Sequence, residues 1–111
     1  MSVQTMDLVA VLSMDSNDAL CMGLGKVADI MNAKRRDAGY RRLCDSIRHE
    51  GISSPILICR SRTGRPIVFN GHHRIAAALE CGIKELPVTE DFLDSDDEDW
   101  TAWLDRVDGK G

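Results

Sequence analysis

Apolar residues along the chain fall into short runs whose spacing changes from one stretch to the next, and each change marks an element. Leu8 to Leu12 is a continuous apolar run, too short to cross a membrane, and predicts a buried strand or the start of one. Ser13 to Asp18 is a polar break in which Ser16 or Asn17 serves as a cap for a short helix through Ala19, Leu20, Cys21 and Met22, before Gly23 and Gly25 interrupt the pattern. Val27, Ile30 and Met31 recur at helical spacing and predict a helix from about Lys26 to Asn32. A longer amphipathic helix is predicted over Asp37 to Glu50, with Tyr40, Leu43, Cys44 and Ile47 as its buried stripe, Gly39 weakening its start and Gly51 ending it.

Pro55 forces Ser54 into an extended conformation, and Ile56 to Cys59 is apolar on both faces, as befits a strand inside a sheet. Ser61 to Arg65 reads as a turn around Gly64, and Pro66 opens a strand through Ile67, Val68 and Phe69. Asn70 and Gly71 then lead directly into a helix on which Ile75, Ala78 and Leu79 share a face and which Gly82 ends. Lys84 to Val88 reads as a strand ending, with Pro87 at an edge or terminus. Farther on, Ser95 to Glu98 forms a capping box, and Trp100, Trp103, Leu104 and Val107 make a helical stripe. That helix either folds back over the sheet or anchors a second copy or another protein.

Composition narrows the class. A chain of 111 residues, 43% hydrophobic and 29% charged, predicts one soluble globular domain. No stretch is long enough to span a membrane and no basic region precedes an apolar run at the N-terminus, so the expected location is cytoplasmic. Cys21, Cys44, Cys59 and Cys81 are widely separated, with no close pair of the kind metal sites need; Cys44 and Cys59 read as core thiols, and Met14, Met22 and Met31 as flexible core filler. The net charge of −4 hides a segregation: residues 1–33 carry −3, residues 34–90 carry +5 and residues 91–111 carry −6. A basic module between acidic ends fits a partner that bears phosphates, although a charge run is also what a solvated face looks like.

The chemistry is concentrated where the strand through Phe69 turns into the helix after Gly71. Helix-start amides lack internal partners and the helix dipole is positive there, which favours an anion. Gly71 lets the backbone approach such an anion, and Arg74 offers a planar fork of donors suited to phosphate. The central expectation is therefore a phosphate-binding turn made by Gly71, His72, His73 and Arg74, with Asn70 in support. Structural roles compete with it, since histidines at a helix start also cap and pack. Adjacent His72 and His73 point apart on a helix and do not make a metal site; His73, the only catalytic candidate, is a possible proton donor or phosphate contact. Arg60, Arg62 and Arg65 give the preceding hairpin a basic tip.

From about Asn32 to Val88 the sequence resembles the ParB/sulfiredoxin-like superfamily. The residues that carry the resemblance are the basic cluster Asn32-Ala33-Lys34-Arg35-Arg36, the helix Leu43 to Gly51, the strand Pro55 to Ile58, the turn Gly71-His72-His73-Arg74 with its Ala-rich helix, and Leu86-Pro87-Val88. The resemblance implies an α+β fold, a small mixed β-sheet packed with helices. It divides the chain into an N-terminal extension of the same domain (1–31), the superfamily core (32–90) and an acidic C-terminal helix (91–111). It also places Lys34, Arg35 and Arg36 near the turn as a second wall of the anion site.

The superfamily's branches differ at the turn. Sulfinic-acid reductases resemble Gly-Cys-His-Arg, and His72 here replaces the nucleophilic cysteine. Partition proteins look like Gly-Glu-Arg-Arg, of which Gly71 and Arg74 match. Free-serine kinases resemble Asp-Gly-His-His-Arg, matched from Gly71 to Arg74 but with Asn70 in place of the acid. Three functions are implied: a ParB-like domain binding DNA with little sequence specificity; a small-molecule kinase using ATP or CTP with magnesium; or a phage or mobile-element interaction module working through Trp100 and Trp103, with homodimerisation through that helix.

Overall fold

The computed structural model describes residues 3–21, 25–60 and 65–92. Strand β1 (Gln4–Asp7) runs into helix α1 (Leu8–Leu12), followed by the two-residue strand β2 (Asp15–Ser16) and helix α2 (Asn17–Cys21). A 3-10 turn (Val27–Ile30) continues as α3 (Met31–Lys34), and α4 (Tyr40–Glu50) precedes β3 (Ile56–Arg60). Strand β4 (Pro66–Asn70), helix α5 (His72–Cys81) and strand β5 (Glu85–Phe92) complete the order. Among the described residues five strands form one mixed sheet in the order β1-β5-β3-β4-β2. β3 lies parallel to β5 (Ile56 opposite Val88) and antiparallel to β4, with a register shift between Leu57 and Ile58; β2 lies parallel to β4.

Ile56, Ile58, Val68, Leu86 and Val88 of the sheet are fully buried against Val27, Ile30, Met31, Tyr40, Cys44, Ile47 and Ile75 of the helices. Helix α5 packs against α4, α3, α1 and β3. Its Ala76, Ala77 and Ala78 are all buried, and short side chains are what let one helix lie close to several neighbours. The result is a single α+β domain, as the sequence predicts.

Several boundaries differ from expectation. Leu8–Leu12 is one turn of helix rather than a strand. An apolar run that short does not distinguish the two, and here the structure buries Leu8 and Val11, three apart, while Val9 is 74% exposed. The strand beside β5 is instead the polar segment just before it, with Gln4 opposite Val88. Helix α4 begins at Tyr40, not Asp37, because Gly39 stands outside it in the left-handed region (φ 83°). On α5 Leu79 is 38% exposed, and the buried face runs through the alanines. Strand β5 continues past Val88 to Phe92, and Pro87 sits within it opposite Thr5, one residue before β3 joins its other side. Met22 and Gly23, the hairpin tip at 61–64 with Arg62, the capping box and the stripe carrying Trp100 and Trp103 lie outside the described residues.

Candidate functional site

The start of α5 is shaped by one glycine. Gly71 has φ 100°, a conformation that L side chains rarely adopt, and a Cβ placed there would lie 2.6 Å from Ile56 Cδ1 and 3.3 Å from Ile56 Cα. Glycine thus serves both the turn and the close approach of α5 to the sheet. The Gly71 amide donates to Asn70 Oδ1 (2.8 Å), so Asn70 closes the turn through its own side chain. Beyond it the helix has no side-chain cap, and helix-start amides of this kind are the donors that an anion uses. Arg74 folds back over Gly71: one terminal guanidinium nitrogen would lie 3.3 Å from a Gly71 Cβ, and the other donates to the Pro55 carbonyl (3.2 Å). Burial draws the Arg74 pKa down from its ordinary value.

The two histidines part company, as neighbours on a helix must. His72 is 4% exposed, with Nε2 2.7 Å from Ser16 Oγ and Nδ1 3.6 Å from Asp18 Oδ2. Ser16 Oγ also accepts from the Ala19 amide (3.1 Å), so the cap expected for α2 is made, and by Ser16. Serine, histidine and aspartate thus lie in the order of a nucleophilic triad, but Ser16 is fully buried; the trio ties the start of α2 to the start of α5. Burial lowers the His72 pKa to about 4, with Asp18 opposing the shift, and the ring is neutral at pH 7. With Nδ1–H facing Asp18, Nε2 accepts from the Ser16 hydroxyl.

His73 turns outward, and its Nε2 lies 2.6 Å from Asp37 Oδ2. Lys34 Nζ donates to Asp18 Oδ2 (2.8 Å), the largest influence holding that carboxyl below its ordinary pKa. The expected second wall is therefore built unevenly. Lys34 joins the turn through Asp18 and His72, whereas Arg35 reaches Asn32 Oδ1 (3.4 Å) and lines a separate groove, and Arg36 is exposed. Sequence reasoning missed the Ser16 contact with His72, and with it Asp18, Asp37 and the Pro55 carbonyl. Ser16 was legible as a cap; nothing in the spacing brings Asp18 to a histidine more than fifty positions away.

Two of the hairpin arginines, Arg60 and Arg65, are engaged with acidic residues. Arg60 pairs with Glu90 (2.8 Å), and Arg65 and Lys26 both pair with the buried Asp15, the latter at 3.0 Å. Burial opposes ionisation of Asp15, but the two cations outweigh it and its pKa is lowered. Among the described residues no group of three or more His, Cys, Asp or Glu side chains is placed to hold a metal ion, and no helix is long and apolar enough to cross a membrane.

Comparison with known proteins agrees with this fold. The ParB N-terminal domain family matches residues 29–99, which is more than half of the chain and includes the turn. The chain belongs to the ParB N-terminal domain family. Among solved structures, sulfiredoxin from Arabidopsis thaliana is similar with a TM-score of 0.58 at 19% identity, over 94% of this chain and 98% of that one. The C-terminally truncated chromosome-partitioning protein ParB from Caulobacter crescentus, complexed with CTP-gamma-S, gives a TM-score of 0.56 at 19% identity and covers all of this chain but 55% of its own. A Pnob8-like ParB-N domain gives 0.54 at 15% identity, covering 91% of this chain and 33% of that chain. These likenesses establish the fold, in which ParB and sulfiredoxin share one architecture. No curated protein matches the sequence significantly.

Proposed function

We propose that this ParB-family domain binds the phosphates of a nucleoside triphosphate at the start of α5. The observation that carries the reading is the entry to that helix: a left-handed Gly71, no side-chain cap, and the Arg74 guanidinium folded over Gly71 to the Pro55 carbonyl. A helix start with its dipole and a guanidinium beside it suit a compact phosphate. The paired state of the surrounding cations favours a nucleotide over a DNA backbone. Lys34, Arg60 and Arg65 already face Asp18, Glu90 and Asp15, which reduces the charge that the basic segment offers to an extended polyanion. The similarity to a ParB complexed with CTP-gamma-S supports the same choice.

Thermal unfolding with CTP, ATP or ADP and magnesium tests the proposal. A bound nucleotide at a hundred times its Kd stabilises by about 2.7 kcal/mol, and Arg74→Ala removes that gain. Absence of stabilisation by every nucleotide, together with a salt-sensitive electrophoretic shift of DNA, would replace it with the nucleic-acid reading.

One observation favours a catalytic extension of this role. Asp37 brings a carboxylate to His73 at 2.6 Å, and an imidazole oriented by a carboxylate is suited to taking a proton from a substrate hydroxyl. In a kinase of the free-serine type, with Asn70 at the usual acidic position, this pair would supply the base. Release of ADP dependent on a small hydroxylated substrate and abolished by His73→Ala is the expected signature. Nucleotide binding without such turnover would leave a binding domain.

A further inference from the structure

Where α2, α3 and α5 meet, one oxygen serves two claimants. Asp18 Oδ2 accepts from Lys34 Nζ (2.8 Å) and faces His72 Nδ1 (3.6 Å), so a fixed cation and a titratable ring converge on the same atom. Lys34 holds the shorter contact, and its charge adds to burial in keeping the ring neutral, with a pKa of about 4. The other ring nitrogen is suited to either state. Ser16 Oγ lies 2.7 Å from Nε2, and a hydroxyl can donate to a neutral ring or accept from an imidazolium with the heavy atoms in place. His73, its neighbour on α5, opposes the ring's charge and faces Asp37, while Arg74 turns to the Pro55 carbonyl. Elsewhere, α1 and β4 carry no charged side chain, those of α4 are exposed, and Arg60 of β3 is paired with Glu90.

Helix α3 packs against α5, and through Asp18 the Lys34 ammonium stands beside His72, the first residue of α5. A phosphate bound at that helix start is a second claimant for Lys34. Withdrawing Lys34 leaves the Asp18 carboxylate without a counter-charge, which is costly unless the ring supplies one. We infer that an anion held at the start of α5 draws Lys34 from Asp18 and that His72 takes up a proton in its place. The proton comes from solvent and ends on Nε2, which then donates to Ser16 Oγ. This regulation rests on the phosphate site proposed above. Binding and protonation become one linked step, so affinity for the anion rises as the pH falls.

Histidine ring resonances followed against pH, with and without sodium sulfate at constant ionic strength, test the inference; sulfate is a phosphate-like dianion whose own charge does not change between pH 8 and pH 5. In the sulfate-free protein Lys34→Gln is expected to raise the His72 pKa from about 4 toward its ordinary 6.5, because Asp18 loses its other partner. Saturating sulfate is expected to do the same in the parent and to add little in Lys34→Gln. Sulfate affinity should rise from pH 8 to pH 5, by about thirtyfold if the ordinary pKa is fully regained, and His72→Gln should reduce that rise. A His72 pKa that Lys34→Gln leaves in place, or a rise in affinity unchanged in His72→Gln, would overturn the coupling. Sulfate that stabilises the protein without moving the His72 resonances would also overturn it, while leaving the phosphate site standing. No stabilisation by sulfate or by CTP with magnesium would remove both.

Discussion

Helices α4 and α5 begin in the same way and serve different ends. Each is entered through a glycine in the left-handed region, Gly39 at φ 83° and Gly71 at φ 100°, and neither has a side-chain cap. A Cβ on Gly39 would meet nothing within 4 Å, whereas one on Gly71 would collide with Ile56, itself fully buried. The start of α4 faces an open groove with guanidiniums and carboxylates; the start of α5 is clamped by β3 below, by His72 turned inward, and by Arg74 folded over the top. The same local device is thus permissive in one place and constrained in the other. Surroundings, rather than the turn itself, make the start of α5 the more constrained of the two.

Acid should expose the difference most strongly. His72 is held at about 4 against an ordinary 6.5, so the unfolded chain takes up the proton first. Stability present above pH 6.5 is therefore lost as the pH falls toward 4, by about 3 kcal/mol if the whole shift is realised. Urea unfolding across that window should show the loss, and His72→Gln should flatten it; an equal slope in the variant would mean that the buried ring is not its source. The lowered carboxyls Asp15 and Asp18 add their own losses only below their ordinary 3.8.

Gly71→Ala should cost about 2–3 kcal/mol, combining a left-handed backbone with overpacking against Ile56. Ser16→Ala removes both the α2 cap and the partner of His72, and about 1–2 kcal/mol is expected. Gly39→Ala carries the backbone strain alone, about 1 kcal/mol. Denaturant midpoints rank these three directly. Equal losses at the two glycines would erase the contrast between the helix starts.

Much of this organisation is legible along the chain. The order strand, glycine turn, helix around Gly71 follows from β-branched residues before it and helical spacing after it, and Gly82 ends α5 as read. Local pattern was weaker where a run was too short to show its period: Leu8–Leu12 looks equally apolar as strand or helix, and only burial at Leu8 and Val11 separates them. At the candidate site, a list of basic residues could not foretell that Lys34 turns to Asp18 while Arg35 turns to a different groove.

Sequence alone determined the family likeness, the fold class and the glycine turn, because backbone preference and hydrophobic period are properties of neighbouring residues. Tertiary structure decided which histidine faces inward and which cations are already paired. Those outcomes depend on Ser16 meeting His72 and on Lys34 meeting Asp18, contacts between elements distant along the chain, and desolvation there sets charge and hydrogen-bonding need.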